Sequence, residues 1–337
     1  MRVGNPVVAL ALVVVAVALA LAMAWLLAGQ LGPTPRPGGP ASSSATSPVP
    51  ATSSAATASS GTAASPAAGS ATPSTSASGG SAARPVFVIV LENKEAEEIV
   101  GNRQAPYFNE LAAHYGLATG YHAVAHPSQP NYLALWSGST QGVLDDGVHD
   151  LSAPTIADQL ERAGRTWHVF AEHVPGDCYR GATASGGRDG SGTYARKHEP
   201  AISFVAVSTA PARCAHISDL SSFAPALADL ELIVPDLCHD MHDCSIAVGD
   251  AWLRTFVPRI LDSAAWRDGG LLFVTFDEGG VRNEVATLVI RPGMPAGQRS
   301  GLAHDHYGLL RTIEGRFSLP CLAKSCGAVP LSEFLAP

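Results

Sequence analysis

From residue 85 onward, short apolar runs alternate with longer segments of helical periodicity. The first run, VFVIVL over Val86–Leu91, is continuously apolar, which is typical of a strand buried on both faces of a sheet. Further strand-like runs cover 118–125, 166–171, 231–234, 271–276 and 285–290. Helical patterns lie near 107–115, 132–136, 155–163, 251–263 and 306–317. This alternation predicts an α/β fold with a mostly parallel central sheet and helices on both faces.

The first quarter of the 337-residue chain does not fit this pattern. Residues 7–28 form an uncharged apolar run after Arg2, of about the 20 residues that cross a bilayer as a helix. We expect 1–29 to be a signal anchor or a signal peptide, an N-terminal membrane segment that exports the rest of the chain. Residues 30–84 are mainly Ser, Thr, Ala, Pro and Gly, which predicts a disordered stalk. Residues 85–337 would then be the folded domain, extracellular or at the cell surface.

Charge and cysteine content restrict the class of protein. The net charge of −8, with no basic stripe, argues against nucleic-acid binding. All six cysteines follow the stalk, and an even number in an exported chain predicts disulfides. Short loops favour the pairs Cys238–Cys244 and Cys321–Cys326, which leaves Cys178 for Cys214. A zinc site is the weaker alternative, because no C-x-x-C pair is present.

Ligand-type side chains follow two of the predicted strands. Glu92 and Asn93 come directly after Leu91, and Asp277 and Glu278 follow Phe276. One acidic strand end is usually a solvated surface or a helix cap. Two of them at the same edge of a sheet would repel each other unless a divalent cation neutralised them. Ligands of such folds bind beyond the carboxyl ends of the strands, so we expect a metal site there.

The stretch HPSQPNY, from His126 to Tyr132, joins a strand-like run to a helical one. Free N–H groups and the dipole at the start of the helix favour an anion such as phosphate, so Ser128 would lie beside an anion site. On local pattern alone, a proline-rich turn whose serine caps the helix is the simpler interpretation. The neighbouring acidic strand ends favour a catalytic serine.

Two more clusters carry ionisable groups. The segment PDLCHDMHDC, residues 235–244, places three aspartates and two histidines in one short loop after a strand-like run. His304, Asp305 and His306 open the last long helix, where the dipole disfavours the cationic form of histidine. Neutral imidazole is the form that binds a metal, so both clusters could supply ligands.

These strings resemble the acid phosphatase and phospholipase C phosphoesterase family of the alkaline phosphatase superfamily. The resemblance covers about 86 to the C-terminus and is closest to the secreted acid phosphatases. It is carried by LENK, HPSQPNYLALWSG, RKHEP, DMHDCSIAVGDAWL, FDEGG and HYGLLRTIE. It implies an alkaline phosphatase-like fold, and it makes 85–337 a phosphoesterase domain.

The resemblance also implies roles for individual residues. The divalent metal would be held by Glu92, Asn93, Ser128, Asp277 and Glu278, with Ser128 as the nucleophile and Asn131 on a phosphate oxygen. The pocket would be completed by His126, His198, Asp240, His242, Asp243 and His306. Relatives often carry Asn at the positions of Asp236 and His239, and Tyr-Asn in place of His304-Asp305. The sequence therefore leaves open whether the site binds one divalent cation or two.

A metal-dependent hydrolysis of phosphate monoesters, phosphoinositides among them, is the activity that the resemblance implies. Ser128 would attack phosphorus, and His242 or His306 would protonate the leaving group. The basic trio of Arg196, Lys197 and His198 could contact phosphate. The alternatives are a phospholipase C or phosphodiesterase, and, in another class, a non-catalytic surface binding module displayed on the stalk. No protein partner is expected.

Overall fold

The computed structural model describes residues 84–176, 178–186 and 192–336. The predicted membrane segment at 1–29 and all but the last residue of the predicted stalk at 30–84 lie outside these ranges. None of the helices in the described ranges has the length and apolarity that a bilayer crossing requires.

The described residues contain twelve strands, and eight of them form the central sheet that organises the domain. In chain order the strands are β1 (Val86–Leu91), β2 (Gly116–Ala118), β3 (Tyr121–His122), β4 (Trp167–Ala171), β5 (Thr183–Ser185), β6 (Thr193–Ala195), β7 (Ile217–Asp219), β8 (Leu230–Val234), β9 (Leu271–Phe276), β10 (Thr287–Ile290), β11 (Arg299–Ser300) and β12 (His304–Asp305). The sheet order is β11-β2-β10-β9-β1-β8-β4-β7. Every pair in it is parallel except the two that β10 makes, with β9 and with β2. The predicted mostly parallel sheet is confirmed.

Helices connect and cover the strands. They are α1 (Ala96–Ile99), α2 (Pro106–His114), α3 (Ser128–Ser137), α4 (Ile156–Arg162), α5 (Val205–Ser208), α6 (Pro211–Cys214), α7 (Ile246–Leu261), α8 (Ala264–Arg267) and α9 (His306–Arg316). Strands β1, β4, β8, β9 and β10 are buried along their whole length. Such strands need cover on both faces of the sheet, which explains why they are mainly apolar. The buried polar exceptions are His168 in β4, Glu231 in β8, Thr275 in β9 and Thr287 in β10. Helix α3 is also buried throughout, so it lies inside the domain.

The segment 118–125 is not the single strand that its sequence predicts. It forms the end of β2, the short β3 and then a loop. Gly120 passes so close to another backbone that an added Cβ would lie 2.7 Å from the Leu302 carbonyl oxygen. Beyond β3, the N–H groups of Val124 and Ala125 donate to the Asn131 side chain instead of a strand neighbour. Side-chain and loop contacts therefore replace the ladder hydrogen bonds of a longer strand.

Three disulfides join the six cysteines in the predicted pairs. They link Cys178–Cys214, Cys238–Cys244 and Cys321–Cys326, with Cα separations of 5.0, 4.6 and 4.9 Å. The second closes the loop that follows β8, and so restricts the acidic and histidine-rich segment 235–244.

Candidate active site at the carboxyl edge of the sheet

The two acidic strand ends meet. Strands β1 and β9 are parallel and in register at Leu91 and Phe276, so the residues that follow them leave the sheet side by side. The backbone N–H of Asn93 donates to Asp277 Oδ1 over 3.1 Å. Glu92 and Asp277 are both buried. The sheet itself therefore brings the carboxylates together at its carboxyl edge.

Ser128 is the first residue of α3 and points into this acidic group. Its Oγ lies 3.0 Å from Glu92 Oε2, 3.3 Å from Glu278 Oε1 and 3.5 Å from Asn93 Oδ1. The helix begins four residues earlier than its apolar pattern predicts, because Pro130 is accommodated in the first turn, where no intrahelical N–H bond is needed. The serine hydroxyl is thus surrounded by oxygen atoms and 1% exposed.

Glu92 is held by two aromatic rings. The Tyr132 hydroxyl donates to Glu92 Oε1, and His198 Nε2 lies 3.2 Å from Glu92 Oε2. The two rings stack at 5.2 Å between centroids. The other nitrogen of His198, Nδ1, lies 3.4 Å from Asp240 Oδ2. His198 therefore joins the strand-end group to the 235–244 loop.

The site has more buried carboxylate than its neighbouring cations neutralise. Burial, followed by the charge on Glu92, raises the pKa of Asp277 well above its ordinary value. Burial also raises the pKa of Glu278. Burial lowers the pKa of His198, but the neighbouring Glu92 and Asp240 carboxylates outweigh this effect and raise the pKa to about 10. These shifts show a strongly negative local field.

The donor atoms in this field suit a hard divalent cation. Carboxylate and amide oxygens are the ligands that such ions prefer. Asp277 Oδ2 is buried and has no hydrogen-bond partner among the described residues. The Asn93 amide can present either end to Glu92 and Glu278. With nitrogen inward it would donate to them over 3.3 and 3.1 Å, whereas oxygen inward adds a further ligand atom. The residues present therefore fit a metal beside Ser128.

The polar side-chain atoms of Asn131 and His306 contact other groups of the protein. Asn131 Oδ1 accepts the Val124 and Ala125 N–H groups, each over 3.0 Å, and Nδ2 donates to the Ala125 and Pro127 carbonyls over 3.0 and 3.2 Å. The amide expected to hold phosphate thus holds the loop before Ser128. His306 Nδ1 is 3.0 Å from the Tyr121 hydroxyl, and Nε2 is 2.5 Å from the Asp277 carbonyl oxygen. Both ring nitrogens are therefore occupied.

His126 and His242 line the accessible side. His126 Nδ1 contacts Glu278 Oε2 at a half-exposed position. His242 Nδ1 lies 2.7 Å from Asp243 Oδ1, and its ring centroid is 6.1 Å from that of His198. The His242 side chain is partly exposed, so it can contact a bound molecule and solvent.

The three residues of the basic trio point in different directions. Arg196 is buried and donates to the carbonyls of Arg180 and His149, so it supports loops. His198 contacts Glu92 and Asp240, as described above. Lys197 lies 2.9 Å from Asp146, and its pKa is raised although burial opposes this, because Asp146, Glu92 and Asp277 lie nearby. Lys197 is therefore the member of the trio placed to meet an anion.

Sequence reasoning missed Tyr132, Asp146 and Gln129. Tyr132 opens the apolar run 132–136, where the pattern indicates only a core residue. It lies four residues after Ser128, which places it on the same face of the helix. Asp146 accepts the Gln129 N–H over 3.0 Å and also binds Lys197, a pairing that no local pattern indicates. Both polar atoms of the Gln129 side chain are buried without a hydrogen-bond partner in the described ranges.

A mostly parallel α/β sheet with a buried serine among carboxylates and histidines at its carboxyl edge defines an α/β hydrolytic enzyme. The solved structure of an alkaline phosphatase superfamily protein from Vibrio parahaemolyticus shares this fold, with a TM-score of 0.50 and 13% identity over 75% of this chain and 70% of that one. The sequence profile of the Phosphoesterase family matches residues 92–320. The chain belongs to the Phosphoesterase family, as the sequence resemblance predicts, and is a phosphoric ester hydrolase.

Named relatives agree with this class. The phosphatidylinositol-3-phosphatase of Mycobacterium tuberculosis is 34% identical over 74% of this chain and 81% of its own length. The acid phosphatase of Aspergillus fumigatus is 28% identical over 74% of this chain. The match spans 58% of that fungal enzyme.

Proposed function

We propose that this chain is an exported acid phosphatase that hydrolyses phosphate monoesters by nucleophilic attack from Ser128 with the help of a divalent cation. One observation carries the proposal: the Ser128 Oγ lies within 3.5 Å of side-chain oxygens from Glu92, Asn93 and Glu278. A buried serine with three oxygen neighbours, and with no histidine among its hydrogen-bond partners in the described ranges, needs another means of ionisation.

A cation explains that arrangement. It would be held by Glu92, Asn93, Ser128, Asp277 and Glu278. When bound, it supplies charge that lowers the pKa of the serine hydroxyl and stabilises negative charge on the phosphoryl group. Tyr132 and His198 fix the Glu92 carboxylate, and Asn131 fixes the loop that delivers Ser128. The protein's own part in binding is therefore to hold these oxygens ready.

The reaction then needs two substitutions at phosphorus. Ser128 Oγ, ionised after its proton has passed to solvent, forms a bond to phosphorus as the bond to the leaving oxygen breaks, and His242 gives that oxygen a proton. Water next attacks the phosphoserine, returns a proton to His242 and releases phosphate, which regenerates Ser128. Lys197 and the start of α3 balance the charge of the transferring phosphoryl oxygens. Of the two histidines that the sequence offers as acid, His242 is favoured, because the nitrogens of His306 are engaged.

The names of the relatives support a proposal about the substrate class. We infer that phosphoinositides are among the substrates, because one relative is named for phosphatidylinositol 3-phosphate. Export to an oxidising compartment is supported by the three disulfides. The phospholipase C alternative predicts a different product. Vesicles containing labelled phosphatidylinositol 3-phosphate should release inorganic phosphate and no diacylglycerol; diacylglycerol as the main product would contradict a monoesterase.

The serine tests the mechanism directly. Ser128→Ala should lower the kcat for an aryl phosphate by at least about 1000-fold, because no other hydroxyl occupies its position. The matched control is Ser137→Ala on the same buried helix, whose hydroxyl binds the Leu133 carbonyl instead. Circular dichroism checks that both variants fold. Full turnover by folded Ser128→Ala would refute the serine mechanism.

A further inference from the structure

A second group of ligand-type side chains lies beyond the neighbouring strands β4 and β8. We call it the β4–β8 cluster, and it consists of Glu172, His173, Asp236 and His239. Glu172 directly follows β4 and donates its N–H to the Val234 carbonyl at the end of β8. Asp236 and His239 are two of the residues that distinguish this sequence from its family's pattern. None of the four is needed by the proposed mechanism.

Ligand atoms of Glu172, Asp236 and His239 all lie within 4.8 Å of one another, as the ligands of one ion would, and His173 approaches this group through Asp236. His239 Nδ1 is 2.9 Å from Glu172 Oε2 and 3.5 Å from Asp236 Oδ2. His173 Nε2 is 3.1 Å from the same Asp236 oxygen. Ligands bound at about 2.0–2.1 Å around a tetrahedral zinc ion lie about 3.3 Å apart. The observed contacts bracket that value.

The Asp236 side chain gives independent support for a bound cation. Its Oδ1 accepts the N–H groups of Cys238 and His239 over 2.8 and 2.9 Å. Its Oδ2 faces the histidines, in a side chain only 1% exposed, and has no hydrogen-bond partner among the described residues. Gly192 covers this oxygen so closely that an added Cβ would lie 1.8 Å from it. Oδ1 is thus anchored, whereas Oδ2 is buried within 3.1 and 3.5 Å of the two histidine nitrogens without a hydrogen bond to either, so it can serve as a ligand to an ion that they share.

The surroundings hold the ligands and leave a route of entry. The Cys238–Cys244 disulfide closes the loop that carries His239, and the His239 ring stacks on Trp252 with centroids 6.1 Å apart. The backbone N–H of His173 donates to Asp219 over 2.7 Å. A cavity of about 340 Å³, lined in part by Glu172 and His173, opens beside the cluster. An ion can therefore reach preformed ligands.

We propose that the β4–β8 cluster is a structural metal site for a zinc-class dication. Two imidazoles and two carboxylates suit zinc and its neighbours, whereas the oxygen donors around Ser128 suit a harder ion. The same loop carries Asp240 and His242 toward the catalytic residues. The ion therefore stabilises the loop rather than taking part in the reaction, and this site stands apart from the proposed function.

Metal binding without turnover tests the site. The purified full chain is stripped with a chelator and titrated with Zn²⁺ alone, with bound zinc and melting temperature as readouts. His239→Gln should bind one ion fewer per chain, or bind it at least about tenfold more weakly, and lose the zinc-dependent rise in melting temperature. His114→Ala, an exposed histidine at the end of α2, is the matched control and should behave as wild type.

Two further variants show which of the two sites binds the zinc ion. Asp277→Asn alters the Ser128 site and should keep the zinc effect, while the peripheral His173→Asn should lose it even if His239→Gln folds poorly. Equal zinc binding by wild type, His239→Gln and His173→Asn overturns the proposal. Loss of zinc only in Asp277→Asn places the ion beside Ser128 and overturns it too. Inactivity of Ser128→Ala has no bearing on either result.

Discussion

His242 and Asp243 form a pair whose geometry suits a proton donor. Asp243 Oδ1, 2.7 Å from His242 Nδ1, holds one ring nitrogen and leaves Nε2 to act on a bound molecule. A carboxylate in this position fixes the tautomer and orientation of the ring. In the proposed mechanism, Asp243 would therefore act through His242, as a positioning residue.

A leaving-group acid matters most when the leaving group is poor. We expect His242→Gln to lower kcat for an alkyl phosphate by about 100-fold or more, but that for a nitrophenyl phosphate by less than about tenfold, because nitrophenolate leaves unaided. Asp243→Asn should show the same bias with a smaller loss. The exposed pair of Asp145 and His149, also 2.7 Å apart, gives the matched control Asp145→Asn. Equal losses on both substrates would exclude the acid role.

The start of α2 depends on a side chain from another helix. The residue before the helix, Ala105, offers no side-chain cap. Asp250 of α7 instead accepts the Tyr107 and Phe108 N–H groups over 3.0 and 2.8 Å, in a position only 2% exposed. A carboxylate at a helix N-terminus both satisfies free donors and complements the dipole. This one residue therefore fixes the packing of α2 against α7.

Removal of that carboxylate should destabilise the fold and spare the chemistry. Asp250→Ala leaves two buried N–H groups without an acceptor, so we expect a loss of about 2–4 kcal/mol in the free energy of unfolding. Urea denaturation measures it, while KM for an aryl phosphate should stay unchanged in the folded protein. Asp262→Ala, at the exposed end of α7, should cost much less. A loss as small as that of the control would show that the cap is dispensable.

The strands and helices that have a local sequence pattern could be predicted from the sequence. The loops and side-chain directions that depend on residues far away in the chain could not. Runs that are continuously apolar in β1 and apolar except for Thr275 in β9 were sufficient to predict both strands, because burial on both faces favours apolar side chains along the whole strand. The loop before Ser128 could not be foreseen, since Asn283 Nδ2 reaches the Ala125 carbonyl from 158 residues away. Side-chain direction was equally hidden: Arg196, Lys197 and His198 are adjacent in sequence, but their partners lie in three different places.

Across the whole molecule, buried carboxylates link stability to pH. Glu231 is one that lies outside the proposed active site. It lies on β8, fully buried, beside His168 of β4 in the register of the sheet. Its Oε1 accepts the Ala228 N–H over 3.0 Å, and Oε2 has no hydrogen-bond partner in the described part of the chain. Burial raises its pKa to about 8, with nearby backbone N–H groups opposing the rise.

This shift fixes the sign of a pH effect. Between the ordinary pKa of 4.5 and about 8, the folded protein binds a proton at Glu231 that the unfolded chain releases. The contribution of Glu231 to stability is therefore full below pH 4.5 and declines as the pH rises through that window. Glu231→Gln cannot ionise, so its stability relative to wild type should improve by at least about 1 kcal/mol from pH 5 to pH 8. Urea denaturation at both pH values measures the difference, which cancels titrations common to both proteins. A difference that does not change with pH would mean that burial does not raise the pKa of Glu231 in the folded sheet.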